Sequence, residues 1–298
     1  MPSPDHLRAR LVEAGLGAAA ERIMALARPS IRLMANGPAD SAGIVASRLG
    51  GEPDLPSETP WPEYDEPLSF IAQVDLSECH LTSATRALPP AGLLSFFYVA
   101  DQSVWGFDPK DRGAWRVFFT PPNVSLRRIP LPESIPQEGR YRPVGLRGVQ
   151  ELTYAPEESY EISQLGLTRD DLSAYSDALF AHGDARFAAS TARFGDVPQG
   201  EAVMHRLVGH PDPIQGDMQL ECQLTSHGLY TGDPAGYADP RVADLRSGAA
   251  DWHLLFQVDS EDAAGMMWGD VGRLYYWIRD SDLEASNFDN CWMVLQCS

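Results

Sequence analysis

The feature that most constrains the fold of this chain is a pattern that occurs twice. Between Val45 and Asp54 the sequence reads V-A-S-R-L-G-G-E-P-D, and between Val203 and Asp212 it reads V-M-H-R-L-V-G-H-P-D, identical at six of ten positions. Ordinary residue frequencies give about one match in twenty by chance. Three further blocks follow in the same order: Leu68 to Asp75 matches Trp252 to Asp259, Gly92 to Val99 matches Gly272 to Ile278, and Trp115 to Phe119 matches Trp292 to Gln296. Each is a short run of branched and aromatic residues, which reads as a largely buried strand. The connections are too short for helical crossovers, so the unit is predicted to be antiparallel strands preceded by a Gly-Pro loop, used twice and related by an approximate two-fold axis. The predicted class is α+β: an internally duplicated, predominantly antiparallel sheet with helices packed outside.

The rest of the chain is placed around that unit. Residues 1–298 read as a single domain with repeats at about 30–125 and 200–297, an N-terminal helix, and a helical connector over about 126–199. Asp5 to Ala27 has helical spacing of Leu7, Leu11, Ile23 and Leu26, with Asp5 as the cap and an interruption at Gly15 and Gly17. Ile31 to Met34 alternates briefly before Asn36-Gly37-Pro38 turns the chain. Pro121 to Pro143 reads as an extended strap, and Thr168 to Leu172 opens a helix whose buried face carries Leu172, Tyr175 and Leu179. Some 26 more residues separate the first two blocks in the second copy than in the first. This insertion, over 219–251, includes Leu229 to Tyr237, whose glycines and proline read as loop.

Charge narrows the partners. Asp and Glu total 42 against 23 Lys and Arg, a formal charge of -19, which repels a phosphate backbone or an anionic membrane. Neither nucleic acid nor membrane is an expected partner. Cys79, Cys222, Cys291 and Cys297 form no C-x-x-C pair and are expected to be free and mostly buried. The first ten residues lack the apolar core of a signal peptide, and the longest apolar run, Ala91 to Ala100, falls well short of the roughly 20 residues that span a bilayer. The expected location is the cytoplasm.

At Gly50 to Pro56, with Trp61-Pro62, Phe70-Ile71-Ala72-Gln73 and Trp268 to Leu274 following in order, the sequence resembles the YwqG-like family of bacterial proteins. The likeness spans roughly residues 30 to 297. The family is itself a domain of unknown function. The resemblance implies an α+β fold with internal duplication in a bacterial protein, and brings no catalytic residues and no cofactor.

The chemistry-bearing residues are few. His205 and His210 with Asp212 and Asp217 are the nearest approach to a metal set, but Gly209 and Pro211 keep them off one helical face, so no metal is expected. There is no G-x-S-x-G elbow, P-loop or G-x-G-x-x-G. His80, His182 and His227 have no partner that sequence can assign.

Alternation puts Phe70, Ala72 and Val74 on one strand face and Gln73 on the other, with Gln257 matching it. The expected role of these amides is to satisfy the Gly-Pro loop, braced by Arg48 with Asp54 and Arg206 with Asp212; the alternative is that Gln73, Gln257, Arg48 and Arg206 line a ligand cleft between the copies. Because shared residues maintain the common fold, a binding site is expected where the copies diverge, at Tyr230, Asp233, Tyr237, Trp268 and Asp270, while Trp61 is expected to pack on the core. The expected function is a non-catalytic binding module for a protein or peptide partner, a basic one being favoured by the acidic charge, by analogy with immunity proteins. The alternative is a small-molecule enzyme with its site between the repeats.

Overall fold

A computed structural model describes residues 3–40, 43–79, 88–180 and 203–298. Its strands are β1 (Arg28–Pro38), β2 (Arg48–Leu49), β3 (Asp54–Leu55), β4 (Glu63–Tyr64), β5 (Glu66–Pro67), β6 (Ser69–Asp75), β7 (Leu93–Tyr98), β8 (Trp115–Thr120), β9 (Arg127–Arg128), β10 (Val144–Thr153), β11 (His205–Leu207), β12 (Trp252–Asp259), β13 (Arg273–Arg279) and β14 (Trp292–Gln296). Ten of them form one sheet in the order β14-β13-β12-β11-β1-β10-β2-β6-β7-β8. The pairings in that sheet are antiparallel.

The centre of the sheet is the long pair β1 and β10, with Arg28 opposite Thr153 and Ala35 opposite Leu146. On either side the order reads alike: β2-β6-β7-β8 on one flank, β11-β12-β13-β14 on the other. Registers agree as well. Arg48 pairs with Gln73 and Leu49 with Ala72, while Arg206 pairs with Gln257 and Leu207 with Phe256. The connector was expected to be a strap followed by helix; besides a helix over Arg169–Phe180 it contributes β10, because Val144 to Thr153 completes the hydrogen bonds of β1, which would otherwise be left unpaired mid-sheet.

Both inner hairpins carry a bulge, between Phe70 and Ala72 and between Leu254 and Phe256. The expected alternation therefore fails there. Phe70 lies opposite Phe97 but Ala72 lies opposite Phe96, so one extra residue puts Phe70 and Ala72 on different faces. The flanks curl toward each other into a nearly closed barrel-like sheet. Phe96 meets Phe256 with ring centroids 4.3 Å apart, and Tyr276 donates its hydroxyl to the Phe97 carbonyl at 3.2 Å. At the edges, Trp115 on β8 packs 5.0 Å from Trp292 on β14 and donates to the Cys291 carbonyl at 2.8 Å. Edge strands brought together in this way present less open ladder to other chains.

Gly50-Gly51 and Val208-Gly209 turn the chain out of β2 and β11, all four with positive φ. A Cβ at Gly209 would lie 2.6 Å from that of Ser30, so only glycine fits against β1.

Helices α1 (Pro4–Glu13) and α2 (Ala20–Met24) are separated at the expected glycines, although Ser3 rather than Asp5 provides the cap. With α3 (Tyr160–Ser163) and α4 (Arg169–Phe180) they form a second small core around Leu7, Ile23, Tyr154 and Tyr175. The expected loop at Leu229–Tyr237 is partly helical, and the insertion as a whole folds around helix Gln219–Ser226, with short turns at Pro234–Tyr237 and Val242–Leu245. The capping bond from the Ala235 amide to Asp233 explains why a Gly-Pro stretch still makes a helical turn. The four cysteines are free and buried. Among the described residues no helix is long and apolar enough to cross a membrane.

Candidate functional site

The paired polar residues come together as two buried clusters of one design. Gln73 accepts from the Asp54 amide at 3.0 Å and donates to the Asp54 carboxylate at 2.8 Å, while Arg48 donates to the same carboxylate at 3.0 Å. In the second cluster Gln257 accepts from the Asp212 amide at 2.8 Å and donates to its carboxylate at 3.2 Å, and Arg206 is bonded to that carboxylate. Arg48, Arg206, Gln73 and Gln257 are all fully buried. They hold the Gly-Pro loops against the sheet and line no open cleft.

The clusters differ in their extra charges. Asp54 also takes Arg128 at 2.7 Å, whereas Arg206 also takes Glu151, and Arg273 pairs with Asp259 at 3.0 Å. Burial alone would raise the Asp54 carboxyl, but hydrogen bonds from Arg128, Arg48 and Gln73 hold it below the usual carboxylate range. Burial pulls the Arg48 guanidinium down, from so high a starting point that it stays charged.

Of the five candidate contact residues, three share one surface. Tyr230 is 43% exposed and stacks edge-on against Phe107 at 5.6 Å, and the next residue, Thr231, donates its amide to the Phe107 carbonyl at 2.9 Å. Asp233 is exposed, and Tyr237 is 39% exposed. Burial, with the Glu221 carboxylate nearby, pushes the Tyr237 hydroxyl up to about 12. Leu224, Leu229 and Val242 give this unit a small core of its own.

Trp268 does not belong there. It is fully buried, with its indole N–H donated to the Asp259 carbonyl at 3.2 Å and its ring edge-on to Tyr98 and Tyr141. The tight Gly269 turn that suggested exposure instead folds the indole inward. Asp270 is exposed in that turn and accepts at its carbonyl from Ser298. Trp61 packs on the core edge-on to Phe97 at 5.6 Å, as expected.

The metal-like set disperses. His210 bonds through Nε2 to the Leu26 carbonyl at 2.7 Å, while His205 accepts the Asp259 amide at 3.1 Å and faces Glu261. Among the described residues no group of His, Cys, Asp and Glu is arranged to hold a metal ion. His80 and His182 lie outside the described residues.

Sequence reasoning missed an acidic layer beneath the insertion. Asp217 accepts the amides of Gln219 and Leu220 at the start of helix Gln219–Ser226, and Glu221 lies one turn on. Burial pushes Asp217 up to about 6 and Glu221, which also feels Asp217, up to about 7. An acid raised in the folded state stabilises below its unfolded value and loses that contribution as pH rises through its folded value. We therefore expect Glu221→Gln to be about 1–3 kcal/mol more stable than the parent at about pH 8 and nearly equal to it at about pH 4, by urea unfolding at both. Equal stabilities at the higher pH would mean that Glu221 is well hydrated.

Comparison with curated proteins finds no match. A family described as a domain of unknown function, DUF1963, matches residues 47–297, which takes in both polar clusters, the insertion and all of the sheet but β1, and the chain belongs to that family.

Proposed function

We propose that this chain is a non-catalytic binding module that recognises a basic protein or peptide segment, in the manner of an immunity protein, through the insertion Gln219 to Asp251. The observation that carries this reading is the pair Tyr230 and Tyr237, exposed on a unit that is rigidly seated on Phe107 and on its own core. Aromatic rings held at low entropic cost are the usual anchors of protein interfaces. The surrounding charge supplies the sign of the partner: Asp233, Asp239, Asp244 and Asp251 against Arg241 and Arg246 on the insertion, in a chain of net charge -19. The space between the flanks, where an enzyme site would be sought, is filled by Phe96, Phe256 and Tyr276.

The same reading takes the chain as internally duplicated and YwqG-like. Matched registers, the two bulges at equivalent positions and the twin Arg-Gln-Asp clusters support it. Within the two repeats, duplication leaves the insertion as the largest element without a counterpart, and an asymmetric partner needs an asymmetric surface.

The test is capture from host lysate by the parent and by a Tyr230→Ala, Tyr237→Ala double variant. Basic proteins should be retained by the parent, released by salt, and weakened at least about 30-fold by the double variant, since central aromatic anchors cost about 2 kcal/mol or more. Tyr230 packs on Phe107 and Tyr237 is partly buried, so each truncation should cost about 1 kcal/mol, small enough that folding stays intact. Equal retention of the same proteins by both would place the interface elsewhere.

A further inference from the structure

Three neighbouring strands on each flank line up residue for residue at one end. On the second flank Asp259 of β12 lies opposite Arg273 of β13, which lies opposite Gln296 of β14. On the first, Asp75 of β6 lies opposite Leu93 of β7, which lies opposite Thr120 of β8. The aspartate backbone is held alike in both rows: the Asp259 amide is donated to His205 Nδ1 at 3.1 Å and the Asp75 amide to Ser47 Oγ at 2.9 Å. Only one row contains a cation. Arg273 sets its Nε 3.0 Å from Asp259 Oδ2 and donates through Nη1 to the Asp212 carbonyl at 2.7 Å, whereas a leucine stands in the matching place beside Asp75.

The shorter row leaves room. An open cleft of about 130 Å³ lies over Asp75, Leu93 and Thr120, walled by Val45, Pro121 and Val124. A cavity of roughly 150 Å³ admits benzene, and a planar guanidinium is smaller than that. Among the described residues Asp75 is the one charge that lines the cleft. Its Oδ1 accepts the Ser77 amide at 2.9 Å and the Ser77 hydroxyl at 2.7 Å. A second carboxylate stands behind it, since Ser47 donates its hydroxyl to Glu78 at 3.0 Å. Arg127 and Arg128, close by in the chain, are engaged elsewhere, with the Ser57 carbonyl at 3.4 Å and with Asp54 at 2.7 Å. The local field therefore favours a cation. The apolar walls choose which one: a guanidinium is weakly hydrated and lies flat against groups such as Leu93 and Pro121, whereas an ammonium keeps its water.

We propose that this cleft binds an alkylguanidinium, as in an arginine side chain, in the role that Arg273 fills on the other flank. The guanidinium pairs with Asp75 through Oδ2, the Thr120 hydroxyl accepts a further N–H, and the alkyl stem leaves along Val45 and Val124 to solvent. This inference rests on the matched registers of the two flanks and not on the tyrosine surface, so the Tyr230→Ala, Tyr237→Ala double variant should bind the guanidinium unchanged.

The experiment follows the backbone amide resonances of the full chain by nitrogen-15 NMR at about 0.15 M salt, which screens the diffuse attraction of so acidic a protein for any cation. The probe is N-acetylarginine amide; N-acetylcitrulline amide keeps the shape without the charge, and N-acetyllysine amide keeps the charge without the plane. The arginine compound should shift the Ser77, Leu93 and Thr120 signals saturably with a Kd of about 1–10 mM, as expected for so small a ligand. The lysine compound should bind at least about fivefold more weakly, and the citrulline compound should not saturate. Ethylguanidinium separates the sources: equal affinity assigns the cleft to free alkylguanidiniums, and weaker affinity to arginine within a peptide. Asp75→Asn changes a half-buried side chain whose amide oxygen still accepts from Ser77, and should weaken the arginine compound at least about fivefold. The proposal is overturned if that compound gives no saturation by about 100 mM, if its shifts fall away from these three residues, if Asp75→Asn binds it equally, or if the citrulline compound matches it.

Discussion

Asp54→Ala should destabilise this protein by about 3–5 kcal/mol, the largest effect expected of any single polar substitution in it. The carboxylate is fully buried and accepts from Arg48, Arg128, Gln73 and the Val45 amide. Its removal leaves Arg48, itself fully buried, with the carbonyls of Ala46 and Glu52 and no counter-charge. A buried charge without its partner is far costlier than the pair was favourable. Two comparisons make the expectation sharp. Arg128 approaches from the solvent side, so Arg128→Ala should cost about 1 kcal/mol or less. In the matching cluster Arg206 keeps Glu151 when Asp212 is removed, so Asp212→Ala should cost less than Asp54→Ala. Urea unfolding of the three variants measures the order, and a loss under about 1 kcal/mol for Asp54→Ala would show that water reaches Arg48.

The second large effect concerns Trp268. Trp268→Ala removes a fully buried indole wedged between Tyr98 and Tyr141, together with its hydrogen bond to the Asp259 carbonyl, so a loss of about 3–5 kcal/mol is expected. Trp268→Phe fills most of the volume and should lose about half as much. The contrast with Tyr230→Ala, at about 1 kcal/mol, separates the residue that closes the core from the one proposed to face a partner. If Trp268→Ala left the unfolding midpoint unchanged while abolishing capture of basic proteins, the indole would have to swing outward in solution.

Much of the architecture was legible in the sequence because burial and backbone pairing act locally. A run such as Leu93 to Tyr98 or Arg273 to Arg279 is apolar on both faces, and only a strand covered on both sides can use it. The Arg, Gln and Asp of each cluster were legible for a related reason: an amide on an apolar strand must be paired with something, and the nearest unpaired groups are those of the Gly-Pro loop. The position of the insertion followed from counting residues between matched blocks.

What remained hidden depends on contacts between distant segments. Val144 to Thr153 carries no strong strand signal of its own, with half-exposed and exposed residues along its middle, yet β1 needs a second neighbour and takes it. A tryptophan in a glycine turn reads the same whether its ring points in or out; the Gly269 turn, seated against Cys297, sends Trp268 in. The bulges at Phe70 and Leu254 shift faces without changing composition, so periodicity cannot register them. The sequence by itself determined which segments must be buried strands and which charges must pair. Tertiary structure decided which side chains face water, because exposure belongs to the assembled surface and is written in no single stretch of chain.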